Sequence, residues 1–279
     1  MTSAPSNRDD KVVAGFGDEW SRFDQQGLTE AHRRQMFQDY FDIFPWERLP
    51  PGAQGADIGC GSGRWAQLAA PRVGTLHVVD PSPDALSVAR KNLAALPNVQ
   101  FHLAGVDQLP FAPASLDFAY SLGVLHHVPD TQRAMADVVT KLKPGAPLLL
   151  YLYYAFDNRP AWYRLLWRTS EVIRATVSRL PMGPRYWVSQ VFALGVYWPL
   201  ARTGWLLDKA HIMPRSWPLA YYRDKAFYSM RTDALDRFGT QLEQRFTQQQ
   251  IRQMMQRAGL DNIQFSPNPP FWCAVGTKR

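Results

Sequence analysis

Cysteine is nearly missing from this chain of 279 residues. Only Cys60 and Cys273 occur, far apart and in no CxxC pair. A disulfide scaffold and a cysteine-based zinc site are therefore excluded, and a reducing cytoplasm fits. The opening MTSAPSNRDD is polar and has no apolar signal-peptide core, so secretion is not expected. No internal repeat or low-complexity tract is present. The most apolar long stretch, 187–207, is interrupted by Gln190, Pro199, Arg202 and two glycines. It reads as a buried or interfacial helical pair rather than a membrane span. The phosphate-cradling pattern GxxxxGK[ST] is absent. So is the dinucleotide pattern GxGxxG, because Arg64 stands where its last glycine would fall. No cluster has the spacing of a metal site, and no metal is expected.

What is present suits a globular protein with a sizeable core: 46% hydrophobic and 20% charged residues. The net charge of +7 is unevenly spread. Residues 151–231 carry 12 Lys/Arg against four Asp/Glu, and six of the ten tryptophans. The rest of the chain is almost neutral. The two parts are expected to do different jobs.

From 53 to 154 strand and helix signals alternate. Strands are expected at QGADIG, TLHVVD (75–80), VQFHLAG (99–105), LDFAYSLG (116–123) and PLLLYLYY (147–154). Helices are expected at RWAQLAA, at SPDALSVARKNLAAL with Ser82 as N-cap, and at PDTQRAMADVVTKLK. Such alternation predicts a parallel sheet covered on both faces. A helix within 28–48 should end before Pro45. TQQQIRQMMQRAGL carries a capping box, Thr247 with Gln250, and a glycine stop at Gly259. NIQFSP and FWCAVGTK read as two final strands.

The chemistry centres on Asp57-x-Gly59-x-Gly61-x-Gly63, with Cys60 inside the loop. An acid ahead of the glycines repels a pyrophosphate. It favours a ligand bearing a cation and hydroxyls, and S-adenosylmethionine has an α-ammonium and a ribose diol. Asp80 ends the second strand, with Pro81 beside it, where a carboxylate can accept from two ribose hydroxyls. Asp107 follows the third strand and can take an adenine amino hydrogen. Leu122 and Val124 offer apolar contacts after the fourth. All fall at the carboxyl ends of successive strands, where ligands bind in open α/β sheets.

These residues resemble those of the class I S-adenosylmethionine-dependent methyltransferases, in the small-molecule, ubiquinone-type group. The matching pieces are ADIGCGSG, VVDPSPDAL, GVDQLPFAPASLDFAYSLGVLHHVPD and LKPGAPLLL. The resemblance implies a Rossmann-like, seven-stranded, mostly parallel sheet with helices on both faces and a helical lid after the fifth strand. It places Asp57 and Gly59 to Gly63 around the methionine part, Asp80 at the ribose, and Val106 with Asp107 at the adenine. GFGDEWSRF, which contains Trp20, resembles a segment that closes over the cofactor. The expected layout is an N-terminal tail and cap helices (1–50), a cofactor-binding core (51–154), a basic aromatic lid (155–246), and a helix and last strands completing the core (247–279).

The expected activity is in-line transfer of a methyl group to a small or lipid-like acceptor, leaving S-adenosylhomocysteine. Such transfer needs alignment more than charge stabilisation. A base is needed only for a hydroxyl or carbon acid, and His126 and His127 are the candidates. Tyr154, Arg237, Glu243 and Arg245 are candidates to hold a polar acceptor, with DALDRFGTQLEQRFT (233–247) crossing the mouth of the site. The arginines and aromatics of the lid fit a lid core, an apolar pocket with an anionic end, or docking on an anionic membrane. Nucleic acid is not expected. A non-catalytic cofactor-binding protein with a partner- or membrane-binding module, and a macromolecule methyltransferase, are the rival readings. The location expected is cytoplasmic, with peripheral membrane contact left open.

Overall fold

The structure, a computed structural model, describes residues 6–23, 27, 29–214 and 216–279. The chain divides into two compact units. The first is Met1–Gln25, Arg33–Ala155 and Leu242–Arg279; the second is Gln26–His32 and Phe156–Gln241.

The first unit begins with helix α1 (Asp10–Arg22), capped by the Asp9 side chain, and continues with α2 (Glu30–Phe41). Then strand and helix alternate: β1 (Gln54–Ile58), the short α3 (Ala66–Ala69), β2 (Thr75–Asp80), α4 (Pro83–Asn92), β3 (Val99–Leu103), β4 (Phe118–Leu122), α5 (Thr131–Lys141) and β5 (Pro147–Tyr151). Ser82 caps α4 by accepting from the Ala85 N–H, as expected, and Asp130 caps α5.

The seven strands of the sheet lie in the order β3-β2-β1-β4-β5-β7-β6, where β6 is Leu260–Phe265 and β7 is Cys273–Lys278. The first five strands are parallel. β7 runs antiparallel to both neighbours, because the short link from β6 can only make a hairpin. The order turns back on itself between β1 and β4, so the crevice of this sheet opens at their carboxyl ends. β4 is buried along its whole length, as a central strand covered on both faces must be.

An aromatic cluster fixes α2 on the sheet. Phe37 stacks on Phe41 at 4.2 Å, and Phe41 meets the Tyr120 ring of β4 edge-on at 5.0 Å. Tyr40 packs on Trp65 at 4.6 Å. Such pairs add roughly 0.5–1.5 kcal/mol beyond their burial.

The second unit holds α6 (Ala161–Val177), α7 (Met182–Phe192), a π-helical turn (Ala193–Tyr197), α8 (Trp198–Lys209) and α9 (Phe227–Gly239). Its core gathers Val177, Ala193, Tyr197, Ala201, Met230, Ala234 and Phe238. Two arginines close the end of α9: Arg174 donates to the Thr240 carbonyl and Arg185 to the Gly239 carbonyl, each at 2.6 Å. Cations suit the negative end of a helix.

Several elements differ from the sequence reading. Residues 1–5 lie outside the described residues; MTSAPSNRDD is polar enough to read as a disordered tail, but it is fixed in place from residue 6 and helical from Asp10. Asn7 is buried, and its side chain bonds both ways with the Asp130 backbone. The fifth strand stops at Tyr151 because Leu152 to Tyr154 leave the sheet ladder. The stretch 187–207 is a helical pair without a break: the π turn joins α7 directly to α8, and it falls just before Pro199, which has no N–H to give back to the preceding turn. All of 233–239 belongs to helix α9, so the stretch 233–247 is not one continuous crossing segment. Residues 248–257 form the last helix, α10 (Gln248–Arg257), with both halves of its capping box present.

Candidate functional site

The glycine turn after β1 is held from below by β2. The N–H groups of Gly59 and Cys60 both donate to the Val79 carbonyl, at 2.8 and 3.0 Å. The Gly61 N–H donates to Asp80 Oδ2 at 2.9 Å, while Asp80 Oδ1 accepts from the Ser82 N–H. One carboxylate thus ties the loop after β1 to the loop after β2. Gly61 and Gly63 both have positive φ, at 53° and 76°. A Cβ on Gly61 would meet the Trp20 indole at 2.7 Å, and one on Gly63 would meet Leu93 at 2.8 Å. The first spacing lets Trp20 of α1 sit on the loop. The second lets α4 pack close.

Asp57 faces Tyr120 across the β1–β4 pair. It is 1% exposed, and neither of its carboxylate oxygens has a hydrogen-bond partner. Burial raises its pKa from 3.8 to about 8; the nearby Tyr120 phenol tempers the rise without the geometry of a hydrogen bond. Asp80 is also raised by burial, to about 6, and its two backbone N–H donors hold it lower than Asp57. A buried carboxylate lacking donors costs free energy unless something cationic or protic meets it.

After β3, Val106 is buried and Asp107 is already engaged. Asp107 Oδ2 accepts from the Asn7 N–H at 2.8 Å and from the Ser6 hydroxyl at 3.2 Å. After β4, Leu122 is buried, and His126 and His127 lie beneath the surface with ring centroids 4.0 Å apart. The His127 Nδ1 is 2.7 Å from the Leu242 carbonyl, which can only accept, so this nitrogen carries the proton. His126 stacks on Tyr153 at 3.9 Å, and its two ring nitrogens make no hydrogen bond. Burial lowers its pKa well below the usual histidine value, so it is neutral.

Arg245 and Glu243 form a buried ion pair at 2.8 Å, with the guanidinium 5.0 Å from the Tyr153 ring centre. Arg245 also reaches the Tyr154 carbonyl, at 3.4 Å, while the Tyr154 ring packs against Phe271. The structure therefore brings Glu243, Arg245 and the His126–Tyr153 stack together within the first unit. Arg237 is not among them. It lies on α9 of the second unit, bound to Glu171 at 2.9 Å.

Three contributors escaped the sequence reading. Tyr120 is a phenol in the middle of the fully buried strand FAYSL, which is the one sequence signal for it. Asn7 sits in a segment too polar to suggest burial. Tyr153 falls within PLLLYLYY, and reading that run as strand to its end hides a ring that leaves the sheet to stack on His126.

The comparisons agree with this geometry. Residues 56–150 match the family model described as a methyltransferase domain. An O-methyltransferase of Pyrenophora dematioidea is 33% identical over 141 residues, covering 49% of this chain and 53% of that protein. The methyltransferase GfsG of Streptomyces halstedii is 31% identical over 147 residues, covering 50% of each. The chain thus spans about half the length of these curated relatives. Among solved structures, a chain from the complex of the Haloferax volcanii Trm112 methyltransferase activator with a methyltransferase superposes with a TM-score of 0.50. It is 15% identical, with 98% of this chain and 99% of that one covered, a likeness of fold alone. Residues 56–150 are thus a methyltransferase domain, and the likeness to these S-adenosylmethionine-dependent relatives covers about half of the chain.

Proposed function

We propose that the chain is an S-adenosylmethionine-dependent methyltransferase acting on a small-molecule acceptor. The observation that carries this reading is Asp57: a buried carboxylate at the mouth of the glycine turn with neither oxygen hydrogen-bonded. A ligand α-ammonium would satisfy it. Asp80 has used one lone pair on each oxygen for backbone N–H groups, which leaves lone pairs for two ribose hydroxyls. Pro81, Val106 and Leu122, with Cys60 in the turn, would form the apolar wall for the adenine and thioether. Asp107 would meet the adenine amino group with its lone pairs not taken by Ser6 and Asn7. Trp20 would close the site from the α1 side.

When bound, the cofactor supplies an electrophilic methyl group on a sulfonium. The chain's own part is to align an acceptor nucleophile and exclude water. For a hydroxyl acceptor the base would be His126, whose imidazole is neutral; the burial that keeps it neutral also weakens it as a base, so an acceptor that needs little proton removal fits better. His127, its Nδ1 proton held by the Leu242 carbonyl, would hold His126 in place by packing. Glu243, Arg245 and Tyr154 would shape the acceptor side. The test uses methyl-labelled S-adenosylmethionine and an extract of small metabolites, with the product partitioned between organic, aqueous and acid-precipitable fractions. Label in either soluble fraction supports the reading. Label only in precipitable material would replace it with a macromolecular acceptor. Binding of S-adenosylhomocysteine without any transfer would leave a cofactor-binding protein.

A further inference from the structure

The helices of the second unit expose more apolar surface than a folded unit leaves to water without a reason. On α6, Trp162, Leu165, Leu166, Val172 and Ile173 recur at helical spacing and are all exposed. On the same helix Arg174 is buried on another side, and Val177 is buried at its C-terminal end. Along α7, the π turn and α8, a second exposed stripe runs through Trp187, Val191, Leu194, Trp198 and Trp205, with Val191 69% exposed. It spans about 27 Å at the helical rise. Scattered exposed apolar residues need no explanation, but continuous stripes of this size mark a binding surface.

The charges around the stripes say what kind of partner fits. Residues 156–241 hold 13 Lys/Arg and six Asp/Glu, so they account for the net +7 of the whole chain. Only two of those acids lie on α6 to α8, and both are engaged: Glu171 with Arg174 and Arg237, and Asp208 with Arg223. Arg164 and Arg168 flank the α6 stripe and are exposed, and Arg179 is exposed just beyond it. Lys209 continues the α8 stripe, with its ammonium 3.9 Å from the Trp205 ring centre. Tryptophans interleaved with cations beside exposed aliphatic side chains match the boundary between lipid headgroups and acyl chains. Among the described residues no helix is long and apolar enough to cross a membrane, so the contact would lie in the plane of the surface.

We propose that the outer faces of α6 and of α7–α8 dock on an anionic lipid surface. The aliphatic and indole side chains enter the headgroup boundary, and Arg164, Arg168, Arg179 and Lys209 meet lipid phosphates. Anionic headgroups supply the negative charge that these helices lack, and a fluid surface accepts two stripes without a complementary groove. The inference rests on the second unit alone and does not depend on the methyl-transfer reading.

The test is co-sedimentation of the full chain with vesicles of phosphatidylcholine alone and of phosphatidylcholine mixed with phosphatidylglycerol. The expected result is binding to the mixed vesicles only, weakened by salt, with a blue shift of tryptophan fluorescence. The pair Trp187→Ser/Leu194→Ser should lose roughly tenfold or more in binding. The triple variant Arg164→Gln/Arg168→Gln/Lys209→Gln should lose at least as much. Neither variant should lower Tm appreciably, because the substituted side chains are exposed; retained Tm separates lost docking from lost folding. No binding to mixed vesicles, or binding that both sets of variants leave unchanged, overturns the proposal. So does a wild-type dimer in sedimentation equilibrium that Trp187→Ser/Leu194→Ser dissolves while no vesicle binds, since the face would then pair two copies of the chain.

Discussion

Asp80 holds Gly61. The carboxylate at the end of β2 accepts the Gly61 N–H at 2.9 Å, so the shape of the glycine turn depends on a side chain from the neighbouring strand. Asp80→Asn keeps the size and one acceptor oxygen but turns the other into a donor, which would face a backbone N–H. Asn also removes a buried charge whose carboxyl burial raises to about 6, which offsets the lost bonding of about 1–2 kcal/mol, so Tm at pH 7 should change by only a few degrees. Affinity for S-adenosylhomocysteine, measured by calorimetry, should fall by roughly 100-fold, because the loop and the ribose site fail together. Unchanged affinity would remove Asp80 from the site.

Gly61 and Trp20 offer a test of the other side of the turn. Gly61→Ala strains a residue at φ 53° and drives a methyl group against the indole. Left-handed backbone costs a non-glycine residue about 1 kcal/mol, and the collision adds to that. Trp20→Ala in the same chain removes the collision but not the strain. The double variant should therefore be less damaged than the sum of the two single changes, a coupling of roughly 1 kcal/mol in denaturation midpoints. Additive effects would show that Trp20 does not rest on the turn.

The core of this arrangement was legible because it is local. The acid, the glycines and the β-branched strands state their roles within a few residues of one another, and the alternation of strand and helix fixes which ends share a crevice. Ser82 and Thr247 announced their helix starts for the same reason. The acceptor side was less legible because its members are distant in sequence. Nothing local says that Arg245 will bury itself against Glu243 while Arg237, only eight residues earlier, will pair with Glu171 in the other unit. Nor does any pattern in MTSAPSNRDD foretell that Asn7 will bridge to Asp130. Those outcomes are set by which surfaces happen to meet.

The Glu243–Arg245 pair should be far more costly to break than to replace. Both side chains are nearly inaccessible, at 1% and 11% exposure. Glu243→Ala leaves a buried guanidinium without its counter-charge, and about 3 kcal/mol of stability should be lost in urea unfolding. Glu243→Ala combined with Arg245→Met removes both charges and should recover a large part of that loss. If the single variant unfolds like the wild type, water reaches the pair and it is not a buried element of the acceptor side.

Asp57 should set stability and ligand affinity against each other. Its folded pKa of about 8 lies above the ordinary 3.8, so its protonated form is the one the fold prefers. The stabilising contribution is complete below about pH 4 and is lost as pH rises through about 8. Asp57→Asn cannot ionise, so its Tm should exceed that of the wild type at pH 8 by several degrees, and the gap should close towards pH 4. Ligand binding should run the other way. An arriving ammonium needs the carboxylate, so S-adenosylhomocysteine affinity in the wild type should rise by about tenfold per unit between pH 6 and 8. S-adenosylhomocysteine has no sulfonium to acidify its ammonium, which therefore stays charged over that range. Asp57→Asn should bind weakly throughout and without that slope. A variant that is more stable yet keeps both affinity and slope would show that the buried carboxylate serves something other than the ligand's ammonium.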